Sequence, residues 1–293
     1  MRKFFFLITA FLLLAGPALG YDVLLVQSSS NAAYNDIVRG FRSVCPQDSR
    51  LVVLSDFGSV DVVRIVREDR PRVIVAVGDE ALASVKNVRN TPVVAVMTLG
   101  LRNSAARPNV TGIDVFVEPG SFVDVLQAFK AKRVGIIYNT ARSGAYVNRA
   151  AAAARRAGID VVLHEVRRPE DTVFALKEMD SGIDALWMVP DPIAVVKETL
   201  TGYFGFSLQR RVPVISFTAA HLRLGAAAAI DIDRRGLGRQ AGEMALKILK
   251  GAAPSSLPVE QPEAHSVRIN PVVLQHLEMS VPPRYSSAVI PTN

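Results

Sequence analysis

The chain carries a single cysteine in 293 residues, Cys45, so no internal disulfide can form and the fold must hold together by its core. With no histidine near it in sequence, the thiol reads as a buried or half-buried helix-end residue and not as a nucleophile. Histidine is almost as scarce. His164, His221, His265 and His276 stand in unrelated settings. No H-x-x-x-H, H-E-x-x-H or paired-cysteine spacing appears, whereas a tight zinc site needs three or four convergent ligands. The G-x-S-x-G elbow of α/β hydrolases is also missing. Neither a catalytic constellation nor a metal or other cofactor is called for.

One apolar run stands out, FFFLITAFLLLAG, and it is shorter than the roughly 20 residues a membrane span needs. Arg2 and Lys3 precede it and Ala18-Leu19-Gly20 follow, so residues 1–20 are expected to be a secretory signal peptide and the mature chain to start at Tyr21. No cysteine follows the cleavage site to take a lipid, which points to a free periplasmic protein. The net charge of +7 falls to about +5 once Arg2 and Lys3 leave. The remaining basic residues come as scattered pairs, such as Arg155-Arg156 and Arg234-Arg235, with acidic residues between them and no aromatic platform. They read as solvated helix faces, which excludes nucleic acid as a partner.

What the chain does have is alternation. The apolar, largely β-branched runs VLLVQ, LVVL, VIVAV, VVAVM, VGIIY, VVLHEV, ALWMV and VPVIS are separated by helical stretches, the pattern of parallel strands buried on both faces. Trp187, inside ALWMV, and His164, inside VVLHEV, read as core and sheet residues. The order of features in residues 21–102 recurs in residues 132–223. Asp79 and Asp191 fall at equivalent places after a strand, and TPVVAVMTLGLR matches VPVISFTAAHLR. Two copies of one α/β lobe are expected, facing each other across a cleft at the carboxyl ends of their strands, where a small ligand is held. RPNVTGIDVFVEPGS, with Pro108, Gly112, Pro119 and Gly120, reads as a first crossing between lobes, and GAAAAIDIDRR as a strand and a second crossing. His221 follows a strand on the cleft side and could touch ligand. Asp231 and Asp233 alternate along one strand face, suited to hydrogen-bonding ligand or backbone or, in an exported hydrolase, to acid–base work.

GLGRQAGEMALKILKG, residues 236–251, looks at first like a dinucleotide fingerprint. Its spacing is G-x-G-x-x-x-G, Asp233-Arg234-Arg235 intervene after the strand, and the region about 20 residues on is PSSLP without an acidic ribose partner. It reads instead as a helix with Leu237, Ala241, Met244, Ala245, Ile248 and Leu249 as its buried stripe. PSSLPVEQPEAH reads as a surface excursion, SVRINPVVLQHLEM as a final strand and short helix, and PPRYSSAVIPTN as a poorly ordered end.

NVTGI at 109–113, AKRVGIIYN at 131–139, VPVISF at 212–217 and above all GLGRQAGEMALKILKG resemble the substrate-binding proteins of a bacterial ABC-transporter family that includes binders of tryptophan and related amino acids. The resemblance implies a type I periplasmic-binding-protein fold: two Rossmann-like lobes, three hinge crossings and a small molecule captured for a membrane permease. It places an N-terminal lobe at residues 21–115, with a helix at about 234–260 returning to it. The C-terminal lobe takes 116–232 plus about 265–282, and 283–293 form a tail. Ligand-facing loops that match are Gln27 and Ser28, Asp79 and Glu80, and Thr98 in the first lobe. In the second they are Asn139 with Ser143 and Tyr146, then Asp191, then Phe217 and Thr218, then Asp231.

The chain departs from the family's amino-acid binders at Pro190-Asp191-Pro192, a stiffer loop with fewer donors, and at the more acidic Gly78-Asp79-Glu80. Acidic groups for an ammonium are present, while no arginine clamp for a carboxylate is evident. The ligand is expected to be a small polar solute such as an amino acid or related amine. Tyr146 and Phe217 serve either as stacking walls or as packing at the cleft edge. The chain is expected to be a monomer and not an enzyme. The alternative partner is a membrane sensor in place of a permease. On this reading Asp191→Ala removes a ligand contact and leaves the unliganded protein's stability unchanged.

Overall fold

The computed structural model describes residues 20–104, 106–179 and 182–291, so the expected signal peptide lies, but for Gly20, outside the described residues. The β-branched runs form two mostly parallel sheets. In the first, β1 (Val23–Gln27), β2 (Ser49–Val53), β3 (Val73–Val77), β4 (Val93–Val96) and β5 (Val110–Ile113) pair in the order β2-β1-β3-β4-β5, all parallel. In the second, β6 (Arg133–Tyr138), β7 (Asp160–Glu165), β8 (Ala185–Trp187), β9 (Val214–Ser216) and β10 (Ala228–Ile232) repeat that order as β7-β6-β8-β9-β10. The strand β11 (His265–Ile269) is added antiparallel at the β10 edge. The repeated text of the sequence is thus a repeated topology.

Period-two alternation within each strand divides the first lobe's core into two layers. Val23, Leu25, Val73, Val75 and Val94 pack on α1 (Ala32–Val44) and α9 (Arg234–Leu249), while Leu24, Val26, Ile74 and Ala76 pack on α2 (Val62–Asp69) and α3 (Asp79–Ser84). The short α4 (Leu101–Ser104) lies before β5. The second lobe is layered the same way. Val134, Ile136, Ala185 and Trp187 share a cluster with α5 (Pro119–Ala128) and α6 (Thr140–Arg156), and Ile137, Leu186 and Val214 share another with α7 (Asp171–Glu178) and α8 (Lys197–Arg210). Trp187 is buried there, stacked on Phe122 at 5.0 Å. Cys45 is buried at the end of α1, where loss of solvent pushes its thiol pKa up and keeps it protonated.

The glycines of GLGRQAGEMALKILKG have a packing role. A Cβ on Gly238 would lie 2.1 Å from the Ile37 carbonyl oxygen, one on Gly242 would lie 2.4 Å from Val44, and one on Gly40 of α1 would lie 2.1 Å from the Arg235 carbonyl oxygen. Both helices omit side chains where they cross, so α9 meets α1 backbone to backbone. Leu237, Ala241, Met244, Ala245 and Ile248 are buried as the helical stripe requires, and Leu249 is only half-buried at the helix end.

Three crossings join the lobes. The first runs from Ile113 to α5, the second from Ile232 directly into α9, and the third from Glu260 to β11. The stretch before the third is a surface excursion, as its composition suggests, and it is pinned to the first lobe: Thr111 Oγ1 donates to the Leu257 carbonyl at 2.9 Å, and Glu260 exchanges backbone bonds with Gly112 and Asp114 at 3.0 and 2.8 Å. Two expectations change. In IDID only Asp231 lies in the strand, since Asp233 is the residue before α9. The tail, expected to be poorly ordered, is seated as far as 291: the Ile290 N–H donates to the Ile269 carbonyl at 2.9 Å, and Arg284 pairs with Asp124 at 2.9 Å beyond α10 (Pro271–His276). The apolar residues Tyr285 and Ala288 pack on the core, which supplies the order that composition did not suggest.

Helix propensity alone favours alanine over glycine by about 0.5–1 kcal/mol. Gly205→Ala in α8, where a Cβ would meet nothing within 4 Å, should follow that rule and stabilise the protein. Gly238→Ala should destabilise it by about 1–3 kcal/mol, because the α1 backbone must move. Opposite signs of the two shifts in thermal unfolding midpoint check the helix contact.

Candidate ligand-binding cleft

In the first lobe the loops after β1, β3 and β4 meet at one end of the sheet. Gly78 has φ 96°, a left-handed value open to glycine, and a Cβ there would press on Ser28 Oγ at 2.5 Å. Ser28 Oγ accepts from the Ala81 N–H at 3.0 Å and donates to the Val77 carbonyl at 3.1 Å, so it caps the first turn of α3. Asp79 Oδ1 accepts from the N–H groups of Leu99 and Gly100 at 2.9 and 3.1 Å, tying that turn to the loop after β4. Met97, at the start of the loop, is held at φ 56°. Glu80 is exposed beside Asp79. Tyr34 of α1 stands near both. Its phenol pKa is raised, first by burial and then by the two carboxylates.

Two polar atoms at these strand ends have no hydrogen-bond partner among the described residues: Gln27 Oε1 and Thr98 Oγ1, on side chains 0% and 1% exposed. The Gln27 amide nitrogen is used, donating to Ser29 O and Asn35 Oδ1 at 2.7 and 3.0 Å. A buried polar atom left unpaired costs roughly 1–3 kcal/mol, so the orphans stand out.

The second lobe centres on Asp191, which is 2% exposed. Its Oδ2 accepts from the Asn139 N–H at 2.7 Å and the Ser143 hydroxyl at 2.5 Å, and its Oδ1 from the N–H groups of Ile193 and Ala194 at 2.8 Å each. A carboxylate offers about four lone-pair sites, and all are taken by protein. Asp191 therefore clamps the loop after β8 to the start of α6, and the expectation that its loss would leave the unliganded protein unchanged does not follow from this geometry. Asn139 Nδ2 donates to Val166 O at 2.7 Å. Tyr146 is buried, stacked on Phe116 at 4.5 Å with its hydroxyl donating to Val117 O, so it packs inside the lobe beside the first crossing.

Thr218 caps the short turn after β9, and Phe217 is half-buried against His221 at 5.3 Å. His221 Nδ1 lies 2.7 Å from Ser216 Oγ, but Ser216 is fully buried and no carboxylate contacts the imidazole among the described residues. The pair lacks the orienting acid and the access that nucleophilic catalysis needs. Burial also lowers the His221 pKa, favouring the neutral ring. No group of three or more His, Cys, Asp or Glu side chains among the described residues could hold a metal.

Two carboxylates at the crossings are neutralised in matching fashion. Asp114, just after β5, pairs with Arg102 Nε at 2.5 Å, and Asp231 of β10 receives both Arg234 terminal nitrogens at 3.0 and 3.1 Å. Arg234 thus leaves the solvated face on which its Arg-Arg pair would place it. Between the lobes opens a cleft of about 380 Å³, lined by Asp79, Leu99 and Gly100 on one side and Arg142, Pro192 and Ile193 on the other. Hollows of about 600 Å³ beside β2 and about 420 Å³ beside α3 are each lined by the first lobe alone, and the smaller hollow shares Asp79 and Gly100 with the cleft.

Of the residues singled out in the sequence, Asp79 lines the interlobe cleft directly. Gln27, Ser28 and Thr98 lie in the same lobe's loops, and Asn139, Ser143 and Asp191 form one hydrogen-bonded group in the other. Arg142 was missed, although it sits between Asn139 and Ser143 in a loop already marked. Scanning every residue of a matched strand-to-helix loop would have found it.

The fold has known relatives. An ABC domain from Streptococcus pneumonia in complex with L-Trp superposes with a TM-score of 0.69 at 19% identity, covering 92% of this chain and 99% of that one. The ligand-free, open structure of a substrate-binding protein with adhesive properties from Clostridium difficile gives 0.72 at 21% identity with the same coverage. At such identities these likenesses speak for the fold, that of the type I periplasmic binding proteins. A tyrosine-binding protein of Clostridioides difficile is 26% identical over 195 residues, 64% of this chain, and the match spans 56% of that relative's length. Residues 56–288 match the model of the ABC transporter substrate binding proteins, and the chain belongs to that family.

Proposed function

We propose that this chain is an exported, periplasmic binding protein that closes its two lobes on a small polar solute, an amino acid or close relative, and delivers it to a membrane ABC permease without changing it chemically. The observation that carries the reading is the cleft lined by both lobes at the carboxyl ends of their strands. Its volume suits a small solute. A ligand gripped from both sides favours the closed arrangement by its differential contacts, and a permease that reads closure then accepts only loaded protein.

Within that reading the twelve residues divide by role. Asp79, Glu80, Gln27 and Thr98 face the ligand from the first lobe, with Phe217 and Thr218 opposite. Ser28, Asn139, Ser143 and Asp191 hold the loops in shape, while Tyr146 and Asp231 brace the crossings. The tyrosine named for one relative and the L-Trp bound in another support an amino acid as ligand.

Thermal unfolding against a panel of amino acids, amines, nucleosides, sugars and organic acids tests the function. A bound solute at a hundredfold excess over its Kd should add about 2.7 kcal/mol of stability. A flat response to every class, with turnover of any one of them, would sink the binding reading. Roles separate by mutation. Asp191→Ala should lower the unliganded midpoint by several degrees, since four donors lose their acceptor and about 3 kcal/mol or more is at stake. Thr98→Val should leave the unliganded midpoint unchanged or higher, because it removes an orphan hydroxyl, and should weaken binding. Equal unliganded stability of both variants would contradict this division.

A further inference from the structure

Two charged side chains line the cleft, Asp79 and Arg142, and they lie on opposite walls. Asp114 is paired with Arg102, Asp231 with Arg234, and Asp191 is saturated by four protein donors. Asp79 spends Oδ1 on two loop N–H groups, while its Oδ2 has no hydrogen-bond partner among the described residues. Across the cleft, Arg142 in the first turn of α6 is exposed, and its side chain makes no ion pair or hydrogen bond among the described residues. No salt bridge joins Arg142 to Asp79, although both line the same cleft of about 380 Å³.

Resting on the binding function proposed above, we infer that Arg142 is the residue that reads the ligand's carboxylate, with Asp79 Oδ2 taking its ammonium. The solute is then a zwitterion, and an amine without an acid group is rejected. Guanidinium and carboxylate match as a two-pronged, charge-assisted pair that an ammonium side chain cannot reproduce. Because the two charges belong to different lobes, only a solute carrying both signs bridges them. Each lobe alone offers half of the recognition. The same placement explains why closure depends on ligand: a solute lacking either group leaves one charge to be desolvated unpaired.

The probes are the twenty common L-amino acids, and for each one bound, the amine lacking its carboxylate and the acid lacking its ammonium. Wild-type protein, Arg142→Gln, Arg142→Lys and Asp79→Asn are titrated calorimetrically. The wild type should bind at least one amino acid and prefer it to its decarboxylated amine by about 30-fold or more. Arg142→Gln should lose that preference by weakening the amino acid alone, with affinity for the amine unchanged, and Arg142→Lys should fall between. Asp79→Asn, which keeps an oxygen for the loop N–H groups, should lose the preference over the acid analogue. The unliganded midpoint of Arg142→Gln should match the wild type because the side chain is exposed and unbonded. Full amino-acid affinity in Arg142→Gln overturns the assignment and leaves the binding function standing. Absence of binding to all twenty overturns the zwitterion, whereas a response to another solute of the wider panel still supports a binding protein.

Discussion

A parallel sheet built from β-α-β units is apolar on both faces and must be covered on both. In the first lobe the local chain supplies α1 to one face and α2 and α3 to the other, and α1 alone does not span five strands. The missing cover is α9, some 200 residues later, laid on α1 so closely that Gly40, Gly238 and Gly242 leave room for backbone alone. Much of the molecule follows from that contact. The chain must leave the second lobe after β10, dock α9 on the first and return to finish at β11, which makes the second and third crossings and ties the lobes by three strands. Three short connections thus join the lobes beside one cleft, the arrangement that hinge closure about a ligand uses in other two-lobed proteins.

The polar side chains at the cleft divide into those that build it and those left over. Ser28 caps α3, Asp191 joins two loops of the second lobe, and Asp114 and Asp231 are each neutralised by an arginine next to a crossing. These groups are buried or nearly so, and their hydrogen bonds are what makes their burial tolerable. Asp79 with one spare oxygen, the exposed Glu80, Arg142, and the orphan atoms of Gln27 and Thr98 are what remains. Preorganisation of the first group lets the second meet a solute without rearranging loops, so little ordering entropy is lost on binding.

The strands other than β5, their parallel arrangement, the internal repeat and the second crossing were legible in the amino-acid order, whereas RPNVTGIDVFVEPGS, which reads as a crossing throughout, supplies β5 of the first sheet before the chain crosses after Ile113. Each legible feature rests on local pattern: β-branched runs of strand length, prolines and glycines between them, and one text occurring twice. The strand-end loops were legible for the same reason, since a parallel sheet puts its loops there whatever their composition. Less local features were not. PSSLPVEQPEAH reads as a loop on composition, yet Thr111 and Gly112, about 150 residues earlier, give it hydrogen bonds. PPRYSSAVIPTN reads as a loose end until Ile269 is placed beside Ile290.

The sequence by itself determined that two similar α/β lobes face each other, that GLGRQAGEMALKILKG lies in a helix instead of cradling a nucleotide, and that the strand-end segments after β3, β4, β6 and β8 stand where the cleft opens. Periodicity and spacing act within one element, so they survive without coordinates. Tertiary structure alone decided what each loop residue does. Asp79 and Asp191 occupy equivalent places in the repeat, yet one meets two N–H groups and keeps an oxygen free while the other meets four donors and keeps none. Arg142 and Asp79 acquire their relation only when two lobes close a space between them. Whether a charge is spent or available depends on partners far away in the chain, and a linear pattern does not contain those distances.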